Sequence, residues 1–231
     1  MKTLGIIGGI APDSTVDYYR SLVAGWREQR LDGSYPRIFI NSIDMQRMRT
    51  LVEQDALPEL VAYLLEEVQK LARAGVDFAL LASNTPHLVF DELRQQSPVS
   101  LLSIVECACD AAESLGLKRV GLLGTRFTMG ARFYPDAFSR KAITLVVPEA
   151  EEQAWVHDKY MNELVNGRFL PETREGFLAL VGRMITEEKI EAVVLGGTEL
   201  PLLLRGAQSQ GIPFLDTTQI HVRSALKLML S

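Results

Sequence analysis

Two short segments hold most of the residues able to do chemistry: Leu81-Ala82-Ser83-Asn84-Thr85-Pro86-His87 and Leu195-Gly196-Gly197-Thr198-Glu199-Leu200-Pro201. Each is an apolar run closing on small polar residues, the layout of a strand end giving way to a helix. Asn84 and Thr85 can cap that helix while offering donors to an anionic ligand, and Pro86 suits its first turn. His87 lies one turn beyond Ser83 on the same side. It is placed either to orient the serine or a bound carboxylate, or to fill a core position with its nitrogens hydrogen-bonded. Thr198 and Glu199 bring a hydroxyl and a carboxylate to the second segment, where Glu199 can serve a substrate ammonium or a backbone amide. The chemistry on offer is recognition of a small carboxylate or ammonium group.

Two glycine turns add to this set. Gly8-Gly9-Ile10-Ala11-Pro12-Asp13-Ser14-Thr15 lacks the Gly-x-Gly-x-x-Gly spacing of a dinucleotide loop, and Pro12 interrupts the turn, so a Rossmann cofactor is not expected. The turn reads as a strand-to-helix junction in which Asp13 or Ser14 caps a helix presenting Val16, Tyr19, Val23 and Trp26. Its amides, Gly9 among them, and the Thr15 hydroxyl could hold a carboxylate. Gly124-Thr125-Arg126-Phe127-Thr128 supplies two hydroxyls, Thr125 and Thr128, at a comparable point. Arg126, Arg47 and Arg49 read as solvated, and His157 and His221 as isolated helical residues.

The elements that must position these groups are legible as apolar runs alternating with segments of helical period, the pattern of βα units around a parallel sheet. Strands are expected at 4–7, 37–43, 78–82, 101–104, 120–123, 143–147, 192–195 and 214–215. Between the second and third, Val61, Leu64, Leu65, Val68, Leu71 and Ala72 share a helical face, and Gly75 follows as its C-terminal cap. Leu4-Gly5-Ile6-Ile7-Gly8-Gly9 is echoed by Val120-Gly121-Leu122-Leu123-Gly124-Thr125 at an offset of 116 residues. Ala82-Ser83-Asn84-Thr85 is echoed by Gly196-Gly197-Thr198-Glu199 at 114. Two matches at nearly one offset indicate duplication of a four-stranded unit. The expected fold is α/β: two similar Rossmann-like domains, each a four-stranded parallel sheet flanked by helices, related by a pseudo-two-fold. Residues 1–104 plus 211–231 would form the N-terminal half and 105–210 the C-terminal half. Since open α/β sheets bind ligands at strand C-terminal ends, a ligand cleft is expected between the halves.

Composition limits the partners. With 24 basic against 29 acidic residues and a net charge of −5, the chain lacks the positive charge that sequence-independent nucleic-acid binding needs. The N-terminus reads as a first strand rather than a signal peptide, and no apolar run reaches the roughly 18 residues of a membrane span. A cytoplasmic protein with no nucleic-acid or membrane partner is expected. Cys107 and Cys109 stand at i and i+2 of a helix, facing different directions, so neither a disulfide nor a shared metal site is expected and packing explains both.

Taken in order, Gly8-Gly9 with Pro12 and Thr15, Asn84-Thr85 with His87, Leu123-Gly124-Thr125 with Thr128, Pro148-Glu149, Gly196 with Thr198-Glu199, and Asp216-Thr217 with His221 resemble the aspartate/glutamate racemase family. These are cofactor-independent amino-acid racemases with hydantoin racemase and arylmalonate decarboxylase relatives, and the resemblance spans essentially the whole chain. It implies a PLP-independent isomerase with no cofactor and no metal, acting on a small amino acid or carboxylate. It also implies a homodimer, for which exposed apolar surface on the 61–72 helix would serve. A cysteine is implied before Asn84-Thr85 and another before Thr198-Glu199, each moving a proton on one face of the α-carbon. Those positions are Ser83 and Gly197.

The substitution matters because an amino-acid α-hydrogen is a very weak acid. A thiolate is a group that proteins can hold ready below its free pKa of about 8.5. A serine hydroxyl needs a separate base, and glycine has no side chain to offer. The two-thiol mechanism is excluded, and Cys107 and Cys109 stand after the fourth strand rather than at a third-strand end. Arg47 and Arg49 only approximate the arginine that the resemblance implies, and Leu164-Val165-Asn166-Gly167 lacks its lysine. The expected functions are α-proton transfer with Ser83 as donor and His87 or Glu199 as base, a lyase or isomerase relative using other acid/base residues, or a catalytically silent carboxylate-binding homologue. In the catalytic reading Asn84, Thr85, Thr125 and Thr198 hold the carboxylate, and restoring cysteine at both positions should give racemisation if the rest of the cleft is intact.

Overall fold

The computed structural model describes residues 1–205 and 211–231. Residues 206–210, which close the expected C-terminal half, lie outside the described residues. The chain divides into two compact units, Met1–Ile104 with His221–Ser231, and Val105–Ile220.

The first unit runs β1 (Leu4–Gly8), α1 (Pro12–Gln29), β2 (Ile38–Ser42), α2 (Met45–Glu53), α3 (Leu57–Arg73), β3 (Phe78–Leu81), a 3₁₀ turn (Thr85–Val89), α4 (Phe90–Gln96) and β4 (Ser100–Leu102). The second runs α5 (Ile104–Ser114), β5 (Arg119–Gly124), α6 (Arg126–Gly130), α7 (Phe133–Ser139), β6 (Thr144–Val146), α8 (Ala150–Asn162), α9 (Pro171–Glu188), β7 (Ala192–Gly196), α10 (Leu200–Leu204) and β8 (Phe214–Asp216). After it, α11 (Thr217–Leu230) leads back into the first unit. Each unit holds one four-stranded, all-parallel sheet, in the orders β2-β1-β3-β4 and β6-β5-β7-β8. The two orders are the same with four strands added, so the expected two-sheet α/β architecture and its repeated topology are present.

Burial explains which runs became central strands. Every residue of β1, β3 and β7 is buried, as expected for strands covered on both faces. The edge strand β2 is half open instead, with Phe39 and Ile40 both exposed. In α3 the stripe Leu60, Val61, Leu64, Val68 and Leu71 is buried, and Gly75, at φ 81°, ends the helix in the left-handed region. The apolar face of α3 is therefore covered within the unit; the exposed large apolar side chains of the first unit lie on and before β2, and Leu115 and Phe169 are exposed in the second.

Two sequence expectations need correction. Val16 and Tyr19 do not face the core; they are 47% and 48% exposed, while Tyr18, Leu22 and Trp26 are buried with Leu4, Ile6, Phe78 and Leu80. The face is chosen by α11, whose Val222, Ala225, Leu226 and Met229 complete that cluster. Each such buried side chain is worth about 1.5–3 kcal/mol over an exposed one. The second correction concerns 211–220, expected in the first half. β8 pairs with β7 along Val193↔Phe214, Val194↔Leu215 and Leu195↔Asp216, so the chain returns only at His221.

Candidate functional site

In the first unit β1 and β3 are hydrogen-bonded neighbours, and Ala82 N–H donates to Ile7 at 2.9 Å, so Gly9 and Ser83 emerge at one sheet edge. Gly9 takes φ 78°, a left-handed conformation that favours glycine, and turns the chain toward α1. Its amide donates to Thr15 Oγ1 at 2.9 Å, so this donor is already engaged inside the turn. Pro12 opens α1 after Ala11, which occupies the N-cap position at φ 45°; neither Asp13 nor Ser14 takes that position. The carboxylate cradle expected of this turn is thus reduced to the Thr15 hydroxyl and the remaining loop amides.

At the end of β3, Ser83, Asn84 and His87 are all buried. The chain continues as a 3₁₀ turn, closed by His87 N–H donating to the Asn84 carbonyl at 2.9 Å. The imidazole stacks on Phe90 with ring centroids 4.5 Å apart. Its Nε2 accepts the Ile104 N–H at 3.3 Å, which assigns the proton to Nδ1, and Nδ1 is buried with no hydrogen-bond partner among the described residues. Burial first, then the neighbouring His221, lower its pKa from 6.5 to about 3. His87 is accordingly a buried, neutral imidazole held by Ile104 and Phe90, and a weak base. His221 is also buried but takes the opposite tautomer: Tyr18 donates to Nδ1 at 2.9 Å, Nε2 donates to the Leu102 carbonyl at 3.1 Å, and burial lowers its pKa to about 3.

The second unit repeats the layout. β5 and β7 pair through Gly124↔Gly196, bringing Thr125 and Gly197 to one edge. Thr125 caps α6, accepting the Thr128 N–H at 3.3 Å, with the two hydroxyls 3.2 Å apart. Thr198 donates to both carboxylate oxygens of Glu199 at 3.2 Å, and both residues are buried. The partner that sequence reasoning missed is Tyr160, whose hydroxyl donates to Glu199 Oε2. Burial first, then the Glu199 charge, raise its pKa well above the usual 10. A Cβ placed on Gly197 would lie 2.7 Å from Tyr160 Oη and 2.8 Å from Cζ, so the ring already occupies the space into which a side chain at 197 would grow.

The capping box of Glu149 and Glu152 starts α8 and fixes where that ring arrives. Val156, Tyr160 and Leu164 then fall at helical spacing on the buried face. Arg183 of α9 holds Glu152 in a fork, Nε to Oε1 at 2.6 Å and Nη2 to Oε2 at 2.5 Å. On the other side of α8, Arg126, Gln153, His157 and Asp158 help line an open hollow of about 420 Å³. His157 Nδ1 accepts the Arg126 N–H there at 3.3 Å. Thr218 was also missed: it follows β8, beside β7, and its buried hydroxyl has no hydrogen-bond partner among the described residues.

The remaining candidates are spoken for. Arg47 lies over the Tyr63 ring at 4.2 Å, and Arg49 pairs with Glu53 at 3.2 Å. Cys109 is buried, its thiol donating to the Ala137 carbonyl at 3.4 Å, and burial raises its pKa to about 11; Cys107 is buried too. Among the described residues no group of three or more His, Cys, Asp or Glu is placed to hold a metal ion, and no helix is long and apolar enough to cross a membrane.

With this geometry in hand, a sequence profile for Asp/Glu/Hydantoin racemase matches residues 7–225. The chain belongs to that family. Over 238 residues it is 24% identical to the broad specificity amino-acid racemase RacX of Bacillus subtilis, covering 99% of this chain and 98% of that protein. A glutamate racemase of Thermus thermophilus is 30% identical over 165 residues, 69% of this chain and 58% of its own length. The structure of an aspartate racemase homologue from Pyrococcus horikoshii superposes with a TM-score of 0.86 at 32% identity. That of a candidate Asp/Glu racemase from Yersinia pestis superposes with 0.91 at 27%. Both comparisons cover all of either chain. In this racemase-family chain the third strand of each half ends on a residue without a thiol, Ser83 in one and Gly197 in the other.

Proposed function

We propose that this racemase-family protein binds a small amino acid or carboxylic acid and moves its α-proton without a thiolate and without PLP. The observation that carries the reading is the retained polarity of the two strand ends: Ser83, Asn84, Thr125, Thr198 and Glu199 are all buried, where packing alone would favour apolar side chains. In this reading the ligand is bound at these strand ends. Hydroxyls and amides of Asn84, Thr85, Thr125 and Thr198 hold its carboxylate, and Ser83 stands on the side of the first half. His87 stays neutral rather than taking the proton.

A second reading, a carboxylate-binding homologue with no chemistry, draws support from Glu199, whose carboxylate already accepts from both Thr198 and Tyr160. Solvent-deuterium exchange separates the two. Each L- and D-amino acid of a panel is incubated with the protein in heavy water, and loss of the α-proton signal is followed by NMR. The catalytic reading expects incorporation into at least one amino acid, lost in Ser83→Ala. Measurable binding of a panel member with no exchange anywhere would sink it and leave the binding protein.

A further inference from the structure

We propose that Tyr160 is the proton carrier of the second half, its phenol taking the place of the thiol that Gly197 does not supply. The inference rests on the α-proton-transfer reading and deepens it. Ring and glycine are complementary, because the tyrosine oxygen would lie 2.7 Å from a Cβ at position 197. Only a residue without Cβ lets the phenol reach the strand end, and the hydroxyl then sits at the root of the volume a cysteine side chain would fill. Most of the ring belongs to the apolar core of the second unit, packed with Val156, Leu164 and Phe177, and only its polar tip leaves that core. A phenylalanine would satisfy the packing. The hydroxyl instead enters a buried polar cluster of Thr198 and Glu199, which is costly unless every group is hydrogen-bonded.

The cluster is equipped to move a proton. The Glu199 carboxylate accepts from both the phenol and the Thr198 hydroxyl, and hydrogen bonding from Thr198 and the Glu199 backbone favours the anionic form of the phenol. Burial and the Glu199 charge keep the phenol protonated at rest, the state a donor requires. In the step, the electron pair of the α-carbanion forms the new C–H bond with the phenolic proton, and the O–H electrons remain on Tyr160 as phenolate. Thr198 and the Glu199 amide stabilise that oxygen, and water returns a proton to it through the Glu199 carboxyl group. In reverse, the phenolate takes the α-proton.

The test uses the intact chain and the α-deuterium exchange assay, with Tyr160→Phe and Glu199→Gln compared against the parent on whichever amino acid exchanges. Tyr160→Phe keeps the ring and deletes the hydroxyl. Exchange should fall by about 10²–10⁴-fold, the contribution of a general acid or base, while Kd for the same amino acid stays within about threefold. Glu199→Gln keeps the shape and should slow exchange about tenfold or more. A thermal melt and circular dichroism verify that both variants are folded; if Tyr160→Phe does not fold, the Glu199→Gln rate decides alone. Exchange in the folded variants within about threefold of the parent overturns the role of Tyr160 and leaves the catalytic reading standing. A parent that binds an amino acid but exchanges none overturns both.

Discussion

Gly197→Cys, the obvious repair of a racemase-family chain, should not fit alone. The new Cβ would meet Tyr160 Oη at 2.7 Å and Cζ at 2.8 Å, where 3.4 Å or more is ordinary contact. The ring cannot swing away cheaply, since it belongs to the buried core cluster that includes Val156, Leu164 and Phe177, and its hydroxyl is held by Glu199. Overpacking of this kind costs about 1–3 kcal/mol. Tyr160→Ala alone should cost roughly 3–5 kcal/mol, as for other buried aromatics. In the double variant the sulfur enters the vacated space, the clash disappears and part of the cavity is filled, so the two penalties should fall short of their sum by about 1–3 kcal/mol. The assay is urea unfolding of the four proteins followed by circular dichroism. Penalties that add to within about 0.5 kcal/mol would refute the claim that Tyr160 holds the side-chain space of position 197.

The same geometry sets the catalytic repair: Ser83→Cys with Gly197→Cys should lose the parent's α-proton exchange, because the new Cβ at 197 collides with the Tyr160 phenol, whereas adding Tyr160→Ala should bring two-thiol racemisation, read by polarimetry. Racemisation in the double variant without the third change would contradict this. Stability should fall in acid. The folded pKa of about 3 at His87 and His221 lies below the ordinary 6.5, so the unfolded chain binds protons first as pH drops. Their contribution is intact above about pH 6.5 and is lost between there and pH 3, at up to about 1.4 kcal/mol per pH unit for each histidine. Urea midpoints across that range check it, and His221→Gln should flatten the slope. Thr15→Val, nearly isosteric, removes the acceptor for the Gly9 amide and should cost about 1–3 kcal/mol. An unchanged melting curve would mean that the turn does not depend on that bond.

What the sequence made legible follows from range. The central strands are short apolar runs bounded by glycines, and their burial on both faces needs no partner to be read. The repeated strand-end tetrads are likewise local. The face of α1 was not, because apolar residues at helical spacing existed on two sides, and α11, far along the chain, chose Tyr18, Leu22 and Trp26. The sheet of β8 was decided by pairing with β7, which the sequence of β8 does not record. Tyr160 stood unnoticed on a plain amphipathic helix. The available signal was Gly197 itself, a glycine where a side chain belongs, which calls for a bulky neighbour from elsewhere in the fold.

The central claim is α-proton transfer with no thiolate. The direct measurement is α-deuterium incorporation by the parent and by a Cys107→Ala/Cys109→Ala variant, which has no sulfhydryl left. The account predicts incorporation into the same amino acid by both proteins at rates within about threefold. Incorporation that vanishes with the two cysteines, or that the parent never shows with an amino acid it binds, would contradict it.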